Sequence, residues 1–261
     1  PAMKFIDTHT HLYSSQFDED RESVVKDAIS NGVEKLLLPN ISSKYSENLL
    51  NLCQKFPENC FPMMGLHPCD VNKDNFEEEI HHVENELNKN KYIAIGEIGI
   101  DLYWNKSTID IQKKAFTHQI NLAKQYNIPI VIHVRESFNE AFRIVESLND
   151  NRLTGVFHCF TGDKKDAEKI IDLNGFYLGI GGVLTFKNSG LDHTIKNINL
   201  KHLLVETGSP YLAPTPYRGK RNESKYLLNI AKKIAEIHHV SIEEVAKTTT
   251  KNAHDLFNLK K

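Results

Sequence analysis

What most narrows the fold of this chain is an alternation. Short apolar runs rich in strand-forming residues are each followed by an amphipathic helical stretch, and the pair recurs eight times. The first four pairs are Lys4–Asp7 with Asp20–Ser30, Lys35–Pro39 with Lys44–Lys55, Phe61–Leu66 with Asp74–Lys89, and Tyr92–Glu97 with Ile109–Tyr126. The second four are Ile130–His133 with Phe138–Leu148, Gly155–His158 with Lys164–Leu173, Phe176–Ile180 with Leu191–Ile198, and His202–Glu206 with Ser224–Ile237. This pattern predicts a parallel sheet with helical crossovers rather than a sandwich. Eight such units in 261 residues predict an α/β fold of the (β/α)8 TIM-barrel type, which takes about 250 residues as one domain. No linker, low-complexity segment or charge run divides the chain, so residues 1–261 are expected to form a single domain. Asn31-Gly32, Asn127-Ile128-Pro129 and Asn174-Gly175 read as helix stops that launch strands. The stretch Ser241–Leu259 reads as one or two closing helices, with Ser241 as N-cap and Glu244 three residues on.

Composition narrows the function classes. Lys and Arg number 32 against 34 Asp and Glu, a net charge of −2. That balance excludes a protein that coats nucleic acid through bulk charge, while leaving room for a local basic patch. Cys53, Cys60, Cys69 and Cys159 lie apart with no CxxC pair, which points to neither a zinc knuckle nor a disulfide framework and fits a reducing cytoplasm. No apolar run approaches the ~20 residues that span a bilayer, and the N-terminus lacks the layout of a signal peptide. The expectation is a cytoplasmic protein with no membrane association and no obligate protein partner. Pro1-Ala2 before Met3 reads as a remnant of tag removal. What calls for explanation is the count of 13 histidines.

In such a barrel, function sits where strands end and βα loops begin. In Phe5-Ile6-Asp7-Thr8-His9-Thr10-His11 the strand period of two places Asp7, His9 and His11 on one face, so both imidazoles can reach one metal with Asp7 orienting them from behind. Glu97, His133 and His158 each terminate a run of their own. A lone histidine at a strand end is often only hydrogen-bonded, but that reading does not cover His9, His11, Glu97, His133 and His158 together. Imidazoles plus a carboxylate suit zinc, manganese or a similar divalent ion, and the two oxygens of one carboxylate can bridge a pair of metals. On the substrate side, His67 falls at the mouth, and Arg135 shares parity with His133 and can offer its planar fork to a phosphate. Arg218, Lys220 and Arg221 form the densest basic cluster. Tyr103 and Trp104 follow Glu97 and can stack on an unpaired base, or else pack on the barrel itself.

These residues carry a family resemblance. Asp7-Thr8-His9-Thr10-His11-Leu12, Gly65-Leu66-His67-Pro68, Gly96-Glu97-Ile98-Gly99-Ile100-Asp101, Ile132-His133-Val134-Arg135 and His158-Cys159-Phe160-Thr161-Gly162 occur in order. Glu206-Thr207, Ser209-Pro210-Tyr211-Leu212-Ala213-Pro214 and Arg218-Gly219-Lys220-Arg221-Asn222 follow, and the set resembles the TatD family of metal-dependent deoxyribonucleases over nearly the whole chain. The resemblance implies an amidohydrolase-type barrel, a divalent-metal phosphodiesterase with 3′ to 5′ exonuclease activity on DNA, and a cytoplasmic location. It implies two divalent ions, Mg, Mn or Zn. His9, His11, Glu97 and the residue at 208 would serve one of them, and Glu97, His133 and His158 the other.

One position departs from the family pattern. Where the family has a metal-binding, water-positioning aspartate, this sequence has Gly208, which offers no side-chain oxygen. Base catalysis alone is worth about 10²–10⁴-fold, so weak or absent turnover is expected, with fold and DNA binding retained. Glu206 has the same parity but lies deeper along the strand, where it is expected to orient its neighbours. Cys69 stands where the family often has another histidine. Two other readings of the site are hydrolysis of an ester or amide, such as a D-aminoacyl-tRNA ester, and a catalytically inactive nucleic-acid-binding homologue.

Overall fold

The computed structural model describes residues 3–259, so Pro1 and Ala2, and the tag-remnant reading of them, lie outside the described residues. The chain runs β1 (Phe5–Asp7), α1 (Arg21–Ser30), β2 (Val33–Leu38), α2 (Ser43–Lys55), β3 (Cys60–Pro62), α3 (Phe76–Lys89), β4 (Ile95–Asp101), α4 (Ile109–Tyr126), and β5 (Ile130–Arg135). It continues α5 (Phe138–Leu148), β6 (Gly155–Phe157), α6 (Lys164–Asp172), β7 (Phe176–Ile180), α7 (Leu191–Lys196), β8 (Leu203–Val205), α8 (Leu227–His238) and α9 (Ile242–Phe257). Neighbouring strands pair parallel in two arcs, β1-β2-β3 and β4-β5-β6-β7-β8. Narrow seams join the arcs. Met64 bridges Ile95 at one. At the other, Thr8 donates to the Val205 carbonyl (3.1 Å) and Gly208 to the His9 carbonyl (2.8 Å). The result is the (β/α)8 TIM barrel, the α/β class that the alternation predicts.

Parity divides the barrel interior into a dry floor and a polar mouth. Ile6, Leu37, Met63, Ala94, Val131, Val156 and Leu204 form one apolar cluster with Ala253, Leu256, Phe257 and Leu259, so α9 and the residue after it plug the end opposite the loops that bear histidines. Two residues beyond Val131, Val156 and Leu204 come His133 within β5, and His158 and Glu206 just past the ends of β6 and β8. A second, larger cluster lies between the strands and the surrounding helices. The closing stretch is one helix, and its Ser241 hydroxyl accepts from the Glu244 N–H at 3.1 Å, as the capping pattern predicts. Asn127 and Asn174 take left-handed conformations (φ 53° and 59°) at their helix stops.

Most element bounds fall within a few residues of the sequence reading; β4 differs in kind. The reading ends it at Glu97, whereas the strand runs on to Asp101. Its register against β5 shifts between Gly96 and Ile98. Glu97 is therefore the unpaired residue of a β-bulge, a device that re-aims a side chain next to active sites. Beyond the bulge, Gly99 permits the two strands to approach. A Cβ there would lie 1.9 Å from the His133 carbonyl oxygen, at a φ of +154° that side chains rarely adopt.

Candidate metal centre

Glu97 is 3% exposed and holds the middle of the mouth. Its Oε2 faces His9 Nε2 (3.2 Å) and His11 Nε2 (3.4 Å). Its Oε1 faces His158 Nε2 (2.9 Å), His133 Nδ1 (3.1 Å) and His67 Nε2 (3.5 Å). One carboxylate thus splits the surrounding imidazoles into two sets, one per oxygen. The rings of His9 and His158 stack with centroids 3.6 Å apart. Ligand atoms lie within 4.8 Å of one another in three groups: His9, His11 and Glu97; His67, Glu97 and His133; and His9, His158 and Glu206.

The outer ring nitrogens decide what each inner nitrogen can do. His133 turns Nε2 to Asp101 Oδ2 (2.7 Å), and His158 turns Nδ1 to Glu206 Oε1 (3.2 Å). A carboxylate behind an imidazole accepts its N–H and leaves the opposite nitrogen as a lone pair for a metal. Glu206 also accepts from the Cys159 N–H. The Tyr13 hydroxyl donates to the Pro39 carbonyl, so its oxygen accepts from His11 Nδ1 (2.9 Å) and again the Nε2 lone pair faces inward. His67 runs the other way. Its Nδ1 accepts from the Cys69 backbone N–H (3.0 Å), which in the neutral ring leaves Nε2 as a donor toward Glu97. That suits contact with an oxygen of substrate rather than ligation.

Burial and charge set the protonation. Burial drives His9 down to about 4, helped by positive charge on His158, so its ring is neutral as a ligand requires. Burial works to raise Glu97, but His9, His158 and His67 outweigh it and hold the carboxylate well below the usual range. His158 moves up despite its burial because Glu206 and Glu97 flank it. A divalent ion bound between these carboxylates would displace the proton that they favour on His158. The donor set, neutral imidazoles around one ionised carboxylate at a strand-end mouth, fits divalent cations.

The structure reassigns Asp7. The strand-parity reading places it behind the histidine rings, but β1 ends at Asp7, and its carboxylate accepts from Thr207 N (2.9 Å), Thr207 Oγ1 (2.5 Å) and His9 N (3.3 Å). It fastens the β8 exit to the β1 exit; burial raises it to about 7 against those bonds. Gly208 sits beside this junction with φ +68°. A Cβ built there meets nothing within 4 Å.

Four basic residues expected on the substrate side are placed differently from one another. Arg135 is exposed, its guanidinium 3.7 Å from the Tyr103 ring centroid. Arg218 stacks on Phe186 at 3.7 Å, and Lys220 is exposed. Arg221 gives Nη1 and Nη2 to the two oxygens of Asp20 (2.8 and 2.6 Å) and lies over Phe17. Asp101 and Tyr13, which hold His133 and His11, carry no role in the sequence reading. An acid closing the run Ile98-Gly99-Ile100 is the one available signal for Asp101, and Tyr13 offers none beyond its spacing of two from His11.

An α/β barrel with imidazoles and carboxylates converging where the strands end is the architecture of a metal-dependent hydrolase. The chain matches the family model described as TatD related DNase over residues 6–258 and belongs to that family. It is 37% identical over 254 residues to an uncharacterized metal-dependent hydrolase, YabD, of Bacillus subtilis, with 97% of this chain and 98% of that protein covered. A 3′-5′ ssDNA/RNA exonuclease TatD of Pectobacterium carotovorum is 33% identical over 261 residues, covering 97% of this chain and 99% of that one. Among solved structures, the TatD homologue YJJV of Escherichia coli superposes with a TM-score of 0.89 at 27% identity, covering 99% of both chains. Among the described residues no helix is long and apolar enough to cross a membrane.

Proposed function

We propose that this chain is a nucleic-acid phosphodiesterase of the exonuclease type, built on a two-metal site and impaired by Gly208. The carrying observation is Glu97, whose separate oxygens face His9 with His11 and His133 with His158. That division suits one ion per oxygen, with His9, His11 and Glu97 on one side and Glu97, His133 and His158 on the other. Bound Mg, Mn or Zn supplies positive charge for the phosphoryl oxygens and acidifies water. The chain's own residues hold that field in place: Asp101 orients His133, Glu206 orients His158, and Tyr13 orients His11. His67 Nε2–H is available to an oxygen of the scissile group, and Arg135 and Lys220 are exposed cations for flanking phosphates. The name of the Pectobacterium relative supports a nucleic-acid substrate.

What the site lacks is a carboxylate at 208 to take the proton of the attacking water; Glu206, two residues earlier, serves through Oε1 as acceptor for His158 and Cys159. The test compares the chain as given with Gly208→Asp on single-stranded and duplex oligonucleotides, with Mn²⁺ or Mg²⁺. The expected gain is at least about 10²-fold, abolished by EDTA. No gain on either substrate, alongside turnover of an aminoacyl ester, would move the reading to an esterase.

A further inference from the structure

Among the described residues the exposed large apolar side chains are Tyr103, Trp104, Tyr211, Leu212 and Val240. All but Val240 lie on the loops that leave β4 and β8, at the mouth that holds the histidines. Trp104 is 72% exposed and Tyr103 47%. Their rings meet edge to face at 4.7 Å, and the Arg135 guanidinium lies 3.7 Å from the Tyr103 centroid and 5.5 Å from that of Trp104. An exposed Trp face with a cation fixed beside it carries hydration and packing costs that a core role does not explain.

The platform is also tied to the catalytic mouth. Asp101 accepts the Tyr103 N–H on Oδ1 (2.9 Å) and faces His133 Nε2 with Oδ2 (2.7 Å). Gln112 clamps the Asp101 backbone from α4, its Oε1 accepting from N (2.8 Å) and its Nε2 donating to O (3.0 Å). One carboxylate therefore sets the distance between a ligand histidine and the aromatic pair. On the other side of Arg135 opens a cavity of about 520 Å³ that reaches His158 and Cys159 and is lined also by Ser137 and Thr161.

Resting on the phosphodiesterase reading, we propose that Trp104, backed by Tyr103 and Arg135, is a stacking platform for an unpaired nucleobase. The alternation of charge and π-face suits a strand in which phosphates alternate with bases: Arg135 takes the phosphate edge and Trp104 the base. A paired base inside a duplex has both faces covered by its neighbours and cannot use the platform. Base–aromatic stacking of this kind is sequence-tolerant, because every base has a π-face.

Trp104 is the only tryptophan in the chain, so its fluorescence reports on the platform alone. Oligothymidylate, an abasic strand of equal length, and a covalently closed circular duplex, which has no terminal base face, are titrated into the chain as given, with calcium in place of the activating ion. Intact strand length is checked afterwards. The expected result is saturable quenching by oligothymidylate and none by the abasic strand or the duplex. By anisotropy of a labelled strand, Trp104→Ala should weaken oligothymidylate binding about 10-fold, leave abasic-strand binding unchanged, and be largely rescued by Trp104→Phe. Equal quenching by the abasic strand, or undiminished affinity in Trp104→Ala, overturns the platform and leaves the phosphodiesterase reading standing. If no strand binds either the chain as given or Gly208→Asp, the underlying reading falls, and the platform with it.

Discussion

On the proposed reading, Gly208 separates fold from activity. Its φ of +68° is costly for a side chain, and its Cβ direction is empty. Aspartate is among the residues that tolerate such a conformation, at a cost of about 1 kcal/mol. Gly208→Asp should therefore fold, with a calorimetric Tm lower by about 2–4 °C; failure to fold would show that the open space is not usable. The histidine-orienting acids make a second prediction at this scale. Asp101→Asn and Glu206→Gln should each weaken divalent-metal binding about 10–100-fold by titration calorimetry, and unchanged affinity would mean the rings are held by packing alone. The convergence of the five proposed ligand positions is legible in the sequence because residues that end strands of one barrel must meet at one mouth. Their supports are less so. Asp101 reaches His133 from a neighbouring strand, which no local spacing records, and Tyr13, though only two residues from His11, is fixed by its bond to the Pro39 carbonyl far off in the chain. Asp7 misleads for the same reason: parity holds only while the strand lasts, and β1 stops at Asp7.

At the level of elements, the sequence rhythm recovers the strand and helix order because each half-repeat has its own period, two or 3.6. It cannot register a bulge, which inserts one residue without changing composition, and so the strand with Glu97 reads too short. The loop after β8 is likewise held by a contact far apart in the chain, Arg221 on Asp20 before α1. Hydrogen bonding to Arg221 lowers the Asp20 carboxyl below its ordinary value. Its contribution is then present above the usual carboxylate range near pH 4 and is lost as pH falls through the depressed value. The two side chains are 41% and 30% exposed, and screening limits the pair to about 1 kcal/mol or less. Asp20→Asn should thus lower Tm slightly at neutral pH and not at all in strong acid or high salt; a pH-independent difference would point to packing of Arg221 on Phe17 instead. α9 matters far more. Phe257, 3% exposed, belongs to the barrel floor, and Phe257→Ala should cost about 3–5 kcal/mol in denaturant unfolding.

The whole molecule gathers its proposed site from both arcs of the sheet. His9 and His11 leave β1 and His67, the proposed substrate contact, follows β3, whereas Glu97, His133 and His158 belong to β4, β5 and the exit of β6. Any ion that binds the folded site stabilises it by mass action, by about 2.7 kcal/mol at a hundred times Kd. Restoring Mn²⁺ or Zn²⁺ to EDTA-treated protein should raise Tm by about 5–10 °C, and Glu97→Gln should remove most of that rise. A rise that survives Glu97→Gln would place the ion elsewhere. The two arcs touch through a few backbone bonds on each side, those of Ile93, Met64 and Gly96 at one seam and those of Thr8, His11 and Gly208 at the other. An ion held at Glu97 would therefore clasp the joints along which a barrel of this kind breathes. Hydrogen exchange should quicken first at Met64 and Thr8 when the clasp is withdrawn, so that the cargo needed for chemistry also keeps the ring shut.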